Sequence, residues 1–239
     1  MDWRSVGVKS LCGALIILLP TTSEARIAHP GYSGLISTPN AEVLPQGQLA
    51  LGFSWLDGLE TYLFAPKTNR VYVITLGILP RLEATLRQTQ VIGWHDPQAP
   101  GIQHAFDRMV SIKYQLPLSV NFPNAAIGVQ DIASANQLAG RRVRPGSTQY
   151  GQSTFYGVLG AEGPQGSWHL GYARSPAFLD GVFGGIKYNL PGQLALLLEH
   201  DSQHVNWGVR FNACRYLSAQ IGIIGNNTWG VGTLVEFPL

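Results

Sequence analysis

From residue 204 to 224 the chain reads HVNWGVRFNACRYLSAQIGII, two runs of near-strict alternation. Val205, Trp207, Val209, Phe211 and Ala213 are apolar, and His204, Asn206, Gly208, Arg210 and Asn212 between them are polar or tiny. After Cys214 and Arg215 the pattern resumes, with Leu217, Ala219, Ile221 and Ile223 against Ser218, Gln220 and Gly222. Successive strand side chains point to opposite faces, so this stretch is two strands, each with one apolar and one polar face. The pattern recurs along the chain and predicts strands over 48–55, 70–78, 81–91, 105–116, 124–133, 151–161, 166–174, 181–190, 192–201, 204–213, 216–225 and 228–237. Most approach the ~9–11 residues that a tilted membrane strand requires. Segments 70–78 and 151–161 alternate less cleanly.

The connections alternate as well. Leu79-Pro80, 117–123, 162–166, Pro191-Gly192 and Cys214-Arg215 form a mostly tight set, and 56–69, 92–104, 134–150 and 175–180 a longer one. Short turns at one end and longer loops at the other are the habit of outer-membrane barrels, and an even strand number returns the last strand to the side where the first began. The polar face carries most of the strand charges: Glu83, Arg87, Lys113, Lys187, Glu199, Arg210 and Glu236. Their mixed signs suit a mutually paired lumen. The apolar face carries Trp168, Tyr172, Tyr188, Trp207, Trp229 and Phe237 near strand ends, as an interfacial girdle would. The pattern therefore predicts an all-β fold, an antiparallel transmembrane β-barrel of about 12 strands, over a sandwich or soluble barrel, which would need a charged exterior.

Composition agrees. Only 13% of the 239 residues are charged, against about a quarter in ordinary soluble domains, and the net charge of +2 offers no argument for nucleic acid. Arg4 and Lys9 precede an apolar run from Leu11 to Leu19, and Ser23-Glu24-Ala25 places small residues where a leader peptidase cuts. Residues 1–25 thus read as a signal peptide, 26–46 as a periplasmic or plug segment and 47–239 as the barrel, exported to the outer membrane of a Gram-negative-type bacterium. Beyond residue 25 only Cys214 remains, which excludes an internal disulfide and a two-cysteine metal site.

Candidate chemistry is sparse. There is no Gly-x-Ser-x-Gly, and Gly31-Tyr32-Ser33-Gly34 has the wrong spacing for a nucleophile elbow. His200, Asp201, Ser202 and His204 gather at one predicted hairpin tip, but with no further ligands close in sequence they read as turn residues. Glu83 and Glu199 could be the paired carboxylates of a glycosidase, yet lumens of barrels routinely contain charge. The expectation is no enzyme, no cofactor and no metal. Arg141, Arg142 and Arg144 lie in the longest predicted external loop, either as solvated charge or as contacts to lipopolysaccharide phosphates or an acidic polysaccharide.

GYSGLISTPNAEVLPQGQLALGFS, residues 31–54, resembles the opening of the YjbH family of exopolysaccharide biosynthesis proteins, a Gly-x-x-Gly-Leu-x-x-Thr-Pro stretch followed by a Gly that leads into a strand. Gly31, Gly34, Leu35, Thr38, Pro39 and Gly47 match, and LPRLEATLRQT (79–89), FDRMVSIKYQL (106–116) and PNAAIGVQDI (123–132) continue the likeness. The resemblance implies an outer-membrane barrel associated with exopolysaccharide or capsule machinery. Its partners would be outer-membrane lipid and lipopolysaccharide, with polysaccharide and other export-machinery proteins. Unlike longer members, this chain has a single predicted barrel, and it lacks the lipid-attachment cysteine of lipoprotein members. The combined expectation is a non-enzymatic barrel that assists exopolysaccharide biosynthesis or export. A general small-solute channel is the alternative, and a lipid- or glycan-modifying enzyme the second. The glycine-rich, proline-containing segment itself suits either a rigid plug in the barrel mouth or an ordinary lead-in.

Overall fold

The computed structural model describes residues 26–29, 31–61, 65–92, 104–118, 123–132, 153–175, 179–225 and 228–239. Twelve strands follow one another: β1 (Gln48–Thr61), β2 (Ala65–Leu79), β3 (Leu82–Ile92), β4 (His104–Gln115), β5 (Asn124–Gln130), β6 (Thr154–Gly163), β7 (Gly166–Arg174), β8 (Gly181–Leu190), β9 (Leu194–His200), β10 (Val205–Cys214), β11 (Leu217–Ile224) and β12 (Thr228–Pro238). Each pairs antiparallel with its neighbours in sequence, and β1 pairs with β12 to close the barrel. Closure leaves no unpaired sheet edge. The predicted signal peptide and the basic loop with Arg141, Arg142 and Arg144 lie outside the described residues.

Alternation decides which side is which. Ile74, Leu86, Ile112, Leu170, Ile186, Leu196, Ile221 and Val231 are exposed on the outer face. Their sequence neighbours Thr75, Thr85, Arg87, Ser111, Lys113, Lys187, Ala195, Leu197 and Gln220 are buried inside. Of the aromatic residues near strand ends, Trp168, Tyr172, Tyr188, Trp207 and Trp229 stand exposed, and Phe237 is half-buried.

The largest departure from the expected boundaries is at 56–69. It is not a loop throughout: β1 and β2 stay paired past Leu56↔Asn69, through a bulge, to Thr61↔Ala65. Alternation of apolar residues ends near Leu56, whereas backbone pairing needs only N–H and C=O groups. Polar contacts support the extension, with Thr68 donating to Asp57 at 2.6 Å and the Arg70 guanidinium 4.9 Å from the Trp55 ring centre. In the other direction, β5 ends at Gln130, before Asp131 at φ 52°.

The tight connections and the β1–β12 ends share one rim, the turn end, where the Leu239 amide donates to the Gly47 carbonyl at 2.8 Å. The opposite rim is the loop end. Residues 26–46 enter and leave the lumen by the turn end, and almost all of them are buried.

Candidate functional site: the filled lumen

The lumen strands carry charge that water cannot reach, and residues 26–46 supply its partners. Near the turn end Arg26 donates to Glu236 of β12 at 3.2 Å and to the Arg215 carbonyl at 3.4 Å. Deeper in, His29 sits 2.8 Å from the Ser54 hydroxyl and 3.2 Å from the Gln220 amide nitrogen. Burial, and after it the Arg210 guanidinium, push His29 down to about 4, so the imidazole is neutral. Around it Ile27, Ala28, Val73, Arg210 and Leu234 line a cavity of roughly 20 Å³, on the order of one water.

At Gly31 the backbone adopts φ 107°, which an L side chain rarely tolerates. Its carbonyl accepts hydrogen bonds from Thr75 at 2.6 Å and Thr85 at 2.8 Å. The chain then forms a compact tip in which Gly34 bridges Pro39 and Leu35 donates to the Thr38 carbonyl. A Cβ on Gly34 would run into that same carbonyl oxygen. Tyr32 closes the tip by donating to the Ser37 carbonyl at 2.5 Å. The matched Gly, Leu, Thr and Pro residues therefore shape a tight loop and hold it together.

Two carboxylates grip this loop from opposite walls, because β3 and β9 lie six strands apart in a ring of twelve. Glu83 of β3, 1% exposed, accepts from the Ser33 amide at 3.0 Å, the Ser33 hydroxyl at 2.5 Å and the Leu44 amide at 2.7 Å. Lys113 of β4 completes it at 3.2 Å and also donates to the Ser33 and Asn40 carbonyls. Glu199 of β9, 2% exposed, accepts from the amides of Ile36, Ser37 and Thr38 at 3.0, 2.8 and 3.3 Å. The hydroxyls of Ser37 and Thr38 and the Asn206 amide nitrogen donate to it too, the latter two at 2.8 and 2.9 Å. Three consecutive backbone amides on one carboxylate make an anion nest built from the tip itself. Beside it, Arg210 donates to the Leu35 carbonyl at 2.8 Å and to Gln220 at 2.6 Å, and Thr38 also meets His169 at 2.8 Å.

All seven lumen-facing candidates named from the sequence are thus buried inside, but they do not form one constellation. Glu83 and Lys113 pair, and Glu199 and Arg210 hold adjacent parts of the tip. Glu236 meets Arg26, Lys187 pairs with Glu162 at 2.5 Å near the β6–β7 turn, and Arg87 is buried on β3. Sequence reasoning missed His29, Ser33, Ser37, His169 and Asn206. Asn206 had a signal, its place on the polar face, whereas His29 and the serines had none. At the loop end Asp201 accepts from the Gln203 and His204 amides at 3.1 and 2.7 Å and from Asn206 at 2.9 Å. That is a turn cap with a link to the lumen. No group of His, Cys, Asp and Glu able to hold a metal occurs among the described residues.

No curated protein matches the chain. Residues 27–142 match the model of the YjbH family, described as exopolysaccharide biosynthesis protein YbjH. The match spans the inserted segment, β1 to β5 and the Glu83–Lys113 pair, and ends before the strand that carries Glu199. Over the segment that fills the lumen and the wall that holds Ser33, the chain is similar to the YjbH family.

Proposed function

We propose that this chain is a non-enzymatic outer-membrane β-barrel that assists exopolysaccharide biosynthesis or export and is closed at rest by residues 26–46. One observation carries the reading: an apolar exterior surrounds a lumen of buried charge whose partners come from the inserted segment. In water that exterior would be costly at about 25 cal/mol per Å² of apolar surface, and lipid removes the cost. A closed barrel is also the one β architecture that leaves no unsatisfied edge in hydrocarbon. The family match supports the link to exopolysaccharide biosynthesis.

In this reading residues 1–25 direct export, the outer face meets membrane lipid and lipopolysaccharide, and polysaccharide and other export-machinery proteins engage the two rims. Catalysis has little to work with. Asp201 is spent on its turn, and Glu83 and Glu199 are saturated by donors from the segment that stands between them.

Planar-bilayer recording tests the reading. The wild-type barrel should conduct ions poorly, and bacteria lacking it should export less surface polysaccharide. A large, steady wild-type conductance with normal polysaccharide would instead favour the general small-solute channel.

A further inference from the structure

The inserted tip offers the walls an unusual set of groups. To Glu83 it presents the Ser33 hydroxyl, and to Glu199 the hydroxyls of Ser37 and Thr38. To the cations Lys113 and Arg210 it presents neutral oxygens, the carbonyls of Ser33 and Leu35. Between these polar contacts the Tyr32 ring lies 6.2 Å from that of Tyr156, which in turn meets Phe183 edge-on at 6.4 Å. Tyr156 and Phe183 belong to the wall strands β6 and β8. The walls thus combine buried carboxylates that accept hydroxyls, cations that donate to neutral oxygens, and aromatic surface between them.

A hydroxyl-rich saccharide carries matching groups. Its vicinal hydroxyls both donate and accept, and its C–H faces lie well against aromatic rings. Pockets that hold small polar ligands mix apolar walls with a few convergent polar groups in this way. The charge pattern narrows the choice. Carboxylates and cations are interspersed around the lumen, so a polyanion would meet Glu83 and Glu199 as well as Lys113, whereas an uncharged glycan meets no repulsion. Space is sufficient too. The segment enters and leaves by the same rim, so two passes of polypeptide lie side by side where one glycan chain would run.

We infer that the lumen wall around Glu83, Lys113, Glu199 and Arg210 is a binding track for an uncharged, hydroxyl-rich glycan, and that residues 31–40 occupy it at rest as an internal stand-in. The inference rests on the proposed role of the barrel in exopolysaccharide export and names the chemistry of what passes. Loosening the tip exposes the track, and a glycan that competes for the same carboxylates keeps it open.

The test uses the full chain. Gly34→Val forces the tip apart while leaving the walls unchanged, and retention of heat-modifiable migration on gels reports that the barrel still folds. Should Gly34→Val not fold, the milder Ser37→Ala/Thr38→Ala pair serves in its place. In planar bilayers the loosened barrel should conduct, and neutral dextran oligosaccharides should block the current in a concentration-dependent way. Adding Glu199→Gln should weaken that block about tenfold or more, because charge-assisted hydrogen bonds to the sugar are lost. Block that is insensitive to Glu199→Gln, absent, or stronger with polygalacturonate oligomers than with dextran overturns the inference while leaving the closed barrel standing. A loosened barrel that conducts no better than wild type overturns the closed-barrel reading itself.

Discussion

Glu83 and Glu199 do the same job from opposite walls by different means. Glu83 has a cation of its own, Lys113, at 3.2 Å, and the segment adds to a pair that the wall already contains. Glu199 is held by Asn206 and by neutral donors of the tip, three backbone amides and two hydroxyls. The first wall is largely self-sufficient, and the second depends on its occupant. Removal of the segment would leave Glu83 paired but strip Glu199 of most of its partners. The β9 side is therefore where occupancy of the lumen is sensed most strongly.

The sharpest way to break this contrast is Glu83→Gln. It leaves Lys113 buried beside an amide, and an uncompensated buried charge of that kind costs about 3–5 kcal/mol. The urea midpoint in detergent micelles should fall accordingly, and adding Lys113→Met should recover most of the loss. Equal instability of the single and double variants would mean that the pair is not what stabilises this wall. After Glu199→Gln the nearby Arg210 keeps its bonds to Gln220 and the Leu35 carbonyl, and an amide can still accept some of the tip's donors. It should cost about 1–3 kcal/mol, but raise conductance more than Glu83→Gln does, because the tip loses its anchor. The reverse ranking of conductance would refute the assignment of the β9 wall as the occupancy-dependent one.

The smallest expected effect belongs to His29, beside Ser54, Gln220 and Arg210. Folding holds it neutral with its value pushed down to about 4, while the unfolded chain takes a proton near the ordinary value of about 6.5. Its contribution is therefore complete above that ordinary value and is lost as pH falls toward about 4, on the order of 1 kcal/mol by pH 6. Unfolding midpoints of wild type and His29→Gln measured from pH 7 to 5 should converge as the pH drops. Parallel curves would show that His29 is already charged in the folded lumen.

Most of the barrel was legible because one physical rule, alternation between two solvents, governs it. Ile221 and Gln220 announce their faces in sequence, and so do Leu196 and Glu199. The two strands that alternated poorly now have a reason. Val71 and Val73 of β2 and Tyr156 and Val158 of β6 point inward yet are apolar, because the inserted segment, not water, covers them. Val71 and Val73 pack with Ile27 and Leu44, and Tyr156 and Val158 with Ala41. What the sequence could not announce is the partner of Glu199. A carboxylate satisfied by backbone amides leaves no complementary side chain to find, since every residue has an amide. The room for the tip was equally silent. A Cβ on Gly185 would come within 2.8 Å of Leu35, but one glycine among 28 says nothing of which neighbour required it.

The route of residues 26–46 has a mechanical consequence. A strand that ran through the barrel from rim to rim would have to be dragged past every side chain at once. A loop that turns back to the rim it came from is not threaded, and tension on its Arg26 end would open it like a zipper. Arg26 would part from Glu236 first, then His29 from Ser54, Gly31 from Thr75 and Thr85, and Ser33 from Glu83. The first steps ask for one or two bonds each, Ser33 for three, and the Glu199 nest holds to the last, while the other end stays moored where Gly47 joins Gly77 and Leu239. A pull from the turn end then meets these bonds in succession and not all at once, and slackening lets them close again in reverse order.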